Sequence, residues 1–592
     1  MTEEGAKSMS TKSDRGQISD HHEQEGELQN GQPQPETRSL TLHGKQFAAA
    51  MLVLMFGFVL SVIEGSITAT ALITIGNHFH DPIKATWVVL SYLLSYMGFS
   101  LIFARLSDGI GRRNTLIASW LLFGGFSTGS GLARTLNELI GLRVLQGIGA
   151  SGLYTMTFVI GNQITPVKSY GLFGASVGLS FSIGSILGPI LGGAITQTST
   201  WRWCYLFNGP CAILGVIGCI LCIPSSKTTK RTGFSSTAAL KKVDYFGGLL
   251  LLTASTLVVF ALQQAGSSAF AWSSGVIIAS FTISGVCWIG FGIWISAFEY
   301  LPNLRGRIRP IVPVRVVLSR PTGPAILLIL ISGFPMYICI INLPQRFQVV
   351  YGESSIESGV HLLPFLCIMA LGSGLGGAVS SKKNLTSHTA ILSSCLILLG
   401  CGLMSTISAG HSIDHAIYGY EAIIGLGCGL MFSSVTMMVN LATTVQDNAA
   451  SQGMVTQARA LGGTIGLAVA TIVFDKQLAG TLGSSLTPSA LHALQQSLST
   501  VTNLPPEQQA DVITVYAQSF NKQMRIATYI SAFGVLAALG TFQRNPVSIT
   551  EARHRETQED SGHESHTNAS FDSQVEGDAG IGRHRETAYK SP

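Results

Sequence analysis

The run FAAAMLVLMFGFVLSVIEGSITATALI, residues Phe47–Ile73, holds 27 residues and a single charge, Glu64. Wound as a helix at 1.5 Å per residue it is about 40 Å long, more than the ~30 Å hydrocarbon core of a bilayer. Thirteen similar runs follow, among them Ala85–Ala104, Thr115–Ala133, Leu139–Gly161, Gly171–Thr196, Ala416–Asn440 and Ile526–Phe542. The chain therefore reads as an all-α polytopic membrane protein with about fourteen spans.

Composition points the same way. Of the 592 residues, 47% are hydrophobic and 11% charged, against about 25% charged in a soluble protein. The charges gather at the ends, with 27 of 67 in Met1–Lys45 and Asn545–Pro592. These segments hold too few apolar residues to offset chain entropy, so disordered tails are expected. A scattered net charge of +5 leaves no footprint for nucleic acid. Most of the ten cysteines sit in apolar runs, where Cys packs as a small hydrophobe. No glycine loop followed by Lys-Ser/Thr is present, so no nucleotide partner is expected. His78 and His80 lack further ligands for a metal, and no Ser/His/Asp constellation points to an enzyme.

Loop charge sets the orientation. One set of alternating loops carries sixteen Lys and Arg, including Arg105, Arg112, Arg113, Lys168, Lys241, Arg315 and Lys383. The other carries six: Lys84, Arg134, Arg202, Arg346, Lys476 and Lys522. The positive-inside bias puts the first set in the cytosol, and an even number of spans puts both termini there. The expected organisation is a tail over 1–45, a six-helix bundle over 46–224, and a cytosolic linker with two extra helices over 225–300. A second six-helix bundle follows over 301–544, with a long outer loop at about 475–521, and then a tail over 545–592.

Charges inside spans cost a few kcal/mol each, so they are the first functional candidates. Glu64 lies about nine residues from the outer end of its span and Arg143 about five from the outer end of the fourth. Their depths differ by roughly 6 Å, which a long Arg closes if the helices face each other. A carboxylate that exchanges its partner for a proton is the simplest coupling device. A permanent pair that only holds the helices together is the alternative. Glu421, at the start of the twelfth span, either acts directly or snorkels to the interface.

Two further patterns stand out. Gly184, Gly188 and Gly192 recur every four residues in the fifth span, with Gly174 and Gly178 on the same stripe, so a neighbouring backbone can approach closely. Pro189 removes one helical donor there, and Gly193 follows the stripe. The short loop Ala104–Arg113 contains Asp108, Gly109 and Gly111 among Arg105, Arg112 and Arg113, a tight basic turn.

In this combination the chain resembles the major facilitator superfamily, and within it the fourteen-span drug:proton antiporter branch common in fungi. Ala104–Arg113 is similar to the family's first loop motif, Ile140–Gly149 to its fourth-helix motif with a buried Arg, and Gly184–Gly193 to the antiporter motif. Glu64–Ile73 is similar to the branch's acidic first-helix motif. Trp201–Pro210 and the run from Arg459 through Gly462, Gly463 and Gly466 add weaker matches. The resemblance implies two six-helix bundles rocking about a central cavity, with spans seven and eight inserted between them. It also implies proton transfer involving Arg143, a cytosolic gate locked by Asp108, and flexing at Gly188-Pro189. Glu421 and Arg459 are the candidate contacts of the second half.

This sequence departs from the pattern at Ala104 and Gly109, where the family carries Gly and Arg, so the gate's charges must come from Arg105, Arg112 or Arg113. Glu64 stands where Asp is usual, and Ile73 where Pro is. The expected function is proton-coupled export of a small amphipathic organic compound at the plasma membrane, driven by the proton gradient without a cofactor. An importer or vacuolar carrier for siderophores, polyamines or basic amino acids is one alternative, and a non-transporting sensor is the other.

Overall fold

The computed structural model describes residues 44–165, 169–224, 243–266, 270–301, 308–408, 413–483, 505–544 and 546. The expected tails, the linker stretch 225–242 and the loop 484–504 with its amphipathic Leu491–Val501 lie outside the described residues. In the first half the helices are α1 (Lys45–His78), α2 (Pro82–Gly98), α3 (Ser100–Ile110), α4 (Arg112–Leu132), α5 (Leu136–Ile164), α6 (Tyr170–Thr198), α7 (Trp203–Leu206) and α8 (Asn208–Cys222). Next come α9 (Tyr245–Gly266), α10 (Gly275–Tyr300) and α11 (Val314–Leu318). The last group is α12 (Thr322–Tyr351), α13 (Ser355–His361), α14 (Leu363–Lys382), α15 (Thr386–Met404), α16 (Ala416–Ala442), α17 (Val445–Leu482) and α18 (Pro506–Gly540).

Every apolar run in the sequence coincides with a helix or a broken pair of helices. Among the described residues, 11 helices are long and apolar enough to cross a membrane, or 12 if the pair bent by 48° at Phe99 is one span. The expected fourteen is thus not reached on length and hydropathy. The missing two are α4 and α18, whose Ser, Thr, Gly and charged residues dilute their apolar runs. Local chemistry explains the ends. Thr135 caps α5 by accepting from the Glu138 N–H at 3.2 Å. Gly111, at φ 98°, both ends α3 and starts α4, a turn that a side chain would strain.

Two large hydrophobic cores divide the bundle. One is built almost entirely from residues between Ala50 and Ile223, centred on Trp120, Phe123 and Tyr205. The other runs from Ala325 to Ala538 around Phe347, Phe365 and Phe520. The helices α9 and α10 pack on each other, and Leu251 and Phe291 join both halves in a smaller cluster with Leu101 and Ala450. Large apolar side chains such as Leu52, Leu121, Leu221, Ile289 and Phe533 point outwards. A bilayer is the solvent that makes this arrangement stable.

The glycine stripe of α6 serves two neighbours. A methyl group at Gly184, Gly188 or Gly192 would collide with α1, at Val62, Ser66 and Thr70 respectively. One at Gly174 or Gly178 would instead strike Ser373 or Ala370 on α14, in the other half. Gly193 faces open space. Ser182 strengthens the cross-half contact by donating to the Leu366 carbonyl at 3.1 Å. The helix α6 therefore touches α1 of its own half and α14 of the other.

Candidate functional site

Glu64 and Arg143 meet directly. Both side chains are fully buried, and Arg143 Nη1 donates to Glu64 Oε1 at 2.6 Å. The helix α1 presents the acid and α5 the base, closing the depth difference read from the sequence. A carboxylate buried beside one cation still needs its second oxygen satisfied. Asn208 at the start of α8 does this, its Nδ2 donating to Oε2 at 2.6 Å and to Ser127 Oγ at 2.9 Å. Ser127 in turn donates to the Tyr205 carbonyl at 2.9 Å.

The guanidinium is held as closely. Its Nε donates to the Val88 carbonyl of α2 at 3.1 Å, and Nη1 also reaches Gln146 Oε1 at 2.8 Å. Its carbon lies 4.2 Å from the Tyr92 ring centroid and 5.4 Å from that of Tyr205. Tyr92 is itself tied to α1 by donating to the Ser61 carbonyl at 3.1 Å. Five helices (α1, α2, α4, α5 and α8) thus converge on one ion pair. Gln146, Asn208, Ser127, Tyr92 and Tyr205 were not singled out from the sequence. Only the motif context of Gln146 and Asn208 pointed to them, since neutral polar residues are frequent in apolar spans.

At the end of the bundle that carries Gly111, charges join the two halves. Arg105 on α3 reaches Asp447 Oδ1 on α17 at 3.1 Å, and its Nε donates to the Ile311 carbonyl at 3.3 Å. Asp108, expected to be the lock, pairs within its own turn, with Arg112 at 3.1 Å and Arg105 at 3.6 Å. The cross-half ion pair therefore belongs to Arg105, with Asp108 orienting it. Arg112 also donates to Ser107 Oγ, and Arg113 to the Ile220 carbonyl. Asp447 and the buried Asp244 were not anticipated. Asp244 accepts from the Ile311 N–H at 3.3 Å and from Trp294 at 3.0 Å, so the extra helices are tied to the same junction.

In the second half, Glu421 does not snorkel. It is fully buried on α16, and neither carboxyl oxygen has a hydrogen-bond partner. One turn earlier, Tyr418 bonds His361 Nδ1 at 2.6 Å, and His361 Nε2 lies 2.7 Å from Glu353. Arg459 on α17 is buried between aromatic rings, away from any acid among the described residues. Arg346, assigned to a loop from its sequence position, is fully buried in α12. It donates to Asn521 Oδ1 at 3.1 Å and to the Ser408 carbonyl at 2.9 Å. The apolar run ends near Leu343, but α12 continues to Tyr351 and takes Arg346 with it.

A helical bundle with apolar flanks, buried membrane charges and a charged junction between two halves defines a polytopic membrane carrier. Residues 54–467 match the Major Facilitator Superfamily, and the chain belongs to that family of non-enzymatic transporters. It is 35% identical over 510 residues to the MFS-type transporter FPY5 of Fusarium mangiferae, covering 85% of each chain. It is 28% identical to the multidrug resistance protein fnx1 of Schizosaccharomyces pombe, over 82% of this chain and 91% of that one. The MFS-type efflux pump MFS1 of Trichophyton rubrum is 25% identical over 84% of this chain and 91% of its own. The human organic anion transporter MFSD10 (TETRAN) shares the fold at TM-score 0.50 and 13% identity, covering 83% of this chain and all of that one.

Proposed function

We propose that this transporter is a proton-coupled antiporter that exports small amphipathic organic compounds, with Glu64 as its proton carrier. The observation that carries the reading is the fully buried Glu64–Arg143 pair at 2.6 Å, in a place where an ionised carboxylate is stable only while its partners hold it. Protonation of Glu64 removes the charge that attracts the guanidinium. Arg143 keeps the Val88 carbonyl, Gln146 and the Tyr92 ring, so it stays anchored to α2 and α5. The element whose hold weakens is α1, which lies on the glycine stripe of α6, and α6 contacts α14 of the opposite half. A charge change at Glu64 thus acts on the contact between halves through two closely packed helices.

The magnitudes fit. Unpairing a buried ion pair costs about 3–5 kcal/mol, and moving a two-state equilibrium from about 1:99 to 99:1 takes about 5.5 kcal/mol. One protonation supplies most of such a shift. In this scheme a proton enters Glu64 from outside, the carrier turns inward, and the proton leaves to the cytosol. Substrate then occupies the inward cavity and is carried out. The Arg105–Asp447 junction is the cytosolic gate that closes as the outer side opens. Antifungal compounds and toxic secondary metabolites are the proposed cargo, supported by the efflux and multidrug names of the relatives. The Lys/Arg bias supports cytosolic termini, and the plasma membrane is the proposed location.

The test is accumulation of a panel of fluorescent and toxic amphipathic compounds in cells expressing the wild type or Glu64→Gln, with and without a protonophore. Lower accumulation that both the protonophore and the Gln substitution abolish is the expected result. Efflux by a surface-expressed Glu64→Gln equal to wild type contradicts the coupling role. A fluorescent fusion seen at the vacuolar membrane contradicts the location.

A further inference from the structure

Among the described residues Arg459 is a buried cation with neither an acid nor a hydrogen-bond acceptor, unlike Arg346, which has carbonyl and amide oxygens. Arg459 lies on α17 about 21 Å along the helix from Val445, deep enough to be remote from both ends. Its guanidinium carbon is 4.6 Å from the Phe432 ring centroid, 5.5 Å from Tyr154 and 5.9 Å from Phe158. Tyr154 and Phe158 belong to α5 in the first half, and Phe432 to α16 in the second, so the cage spans the junction between them. Among the described residues no carboxylate and no hydrogen-bond acceptor pairs with this guanidinium. The contrast with Arg143, which has a carboxylate, a carbonyl and an amide oxygen, is complete.

Hydroxyl groups adjoin the cage. A small void of about 10 Å³, room for one water molecule, shares Tyr154 with it and is lined also by Tyr96, Ser100, Ser151 and Thr456, with no acid among its lining residues. Ser151 Oγ is buried there without a hydrogen-bond partner. Aromatic faces offset part of the cost of burying a guanidinium, but a ring offers its N–H donors no strong acceptor. The group that meets both needs is an anionic oxygen pair attached to an apolar or aromatic body: the oxygens on the fork of Arg459, the body against the rings.

We infer that Arg459 is the head-group site of the transported compound, and that the substrates this carrier prefers are organic anions, carboxylates foremost, with an aromatic or apolar body. The inference rests on the export reading and narrows it. An empty site of this kind keeps its cation between rings from both halves. A bound anion replaces those ring contacts and changes how the halves hold each other, which gives the substrate its own influence on the conformational equilibrium.

The test uses three probes with one body and three heads: pyrenebutyrate, pyrenebutanamide and pyrenebutylamine. Binding to the purified full-length protein in lipid nanodiscs is read by pyrene fluorescence. The wild type should bind the acid about tenfold or more tighter than the amide, the discrimination expected of a charge-assisted pair, and the amine most weakly. Arg459→Gln should collapse the acid-to-amide ratio to about one, and Arg459→Lys should retain part of it. A wild-type ratio near one, or an unchanged ratio in Arg459→Gln, overturns the inference. If Arg459→Gln binds neither probe, Arg459→Lys decides: an acid preference upholds the site, and its loss at wild-type thermal stability overturns it. Efflux of the same probes from cells separates the two readings. Acid-selective binding without efflux keeps the site and sinks export, whereas efflux without acid preference keeps export and sinks the site.

Discussion

Two buried sets in opposite halves of this carrier, Glu64 with Arg143 and Glu421 with Arg459, are treated oppositely. In the first half Glu64 and Arg143 are in contact at 2.6 Å, with Asn208, Gln146 and the Val88 carbonyl as further partners. In the second half Glu421 has no partner for either oxygen, and Arg459 sits among three rings without a counter-charge. A site whose charges are paired is disturbed chiefly by a change in its own charge state. A cation without a counter-charge, as at Arg459, is on the inference above completed by a bound anion. On the reading proposed above, proton coupling belongs to the first half and cargo recognition to the second.

The comparison breaks first at Arg143. Arg143→Ala leaves Glu64 buried with one amide partner, and thermal unfolding of the purified protein should show a loss of about 3–5 kcal/mol. The double variant Glu64→Gln/Arg143→Gln should recover most of that stability while remaining unable to export against a gradient. Full loss in the double variant would mean that packing, and not charge, sets the cost.

The charged junction gives a graded pair. Arg105 is buried and holds Asp447, Asp108 and the Ile311 carbonyl, so Arg105→Ala should destabilise by about 1.5–3 kcal/mol. Asp447 is 38% exposed, so Asp447→Ala should cost about 0–1 kcal/mol. Both should raise hydrogen exchange around Ile311 and Gly453. Equal costs would argue that Arg105 acts through Asp447 alone.

Within the α6 motif, Gly188→Ala should cost about 1–3 kcal/mol, because its methyl meets Ser66 and the Ile63 carbonyl. Gly193→Ala, in open space, should stay within about 0.5 kcal/mol. Paired melting curves check this directly. A small effect is likewise expected at Glu421→Gln, which costs about 0.5 kcal/mol or less and leaves export near wild type. Loss of export there would move part of the coupling into the second half.

Much of this was legible before any coordinates. The depth arithmetic on Glu64 and Arg143 sufficed because both are charges in otherwise apolar runs and lie on helices joined by short loops. The spacing of Gly184, Gly188 and Gly192 revealed a close approach but not its object, since a stripe does not say which helix opposes it. The Arg105–Asp447 contact links residues 342 apart in sequence, with no local signal for the pairing. Arg346 was misread because hydropathy marks where an apolar run stops, and α12 goes on beyond it. The cage around Arg459 depends on the rotation of α5, α16 and α17, which their nearly uniform apolar surfaces do not encode.

The central claim is that the Glu64–Arg143 pair is a proton-operated coupling device and not a fixed brace. Reconstituted wild type and Glu64→Gln should be compared in two modes, using a compound that the cell panel finds exported. One mode is uptake driven by a pH gradient; the other is exchange of labelled for unlabelled compound at equal pH. The account predicts that Glu64→Gln loses the gradient-driven mode and keeps exchange. Gradient-driven uptake at the wild-type rate, or equal loss of both modes, would contradict it.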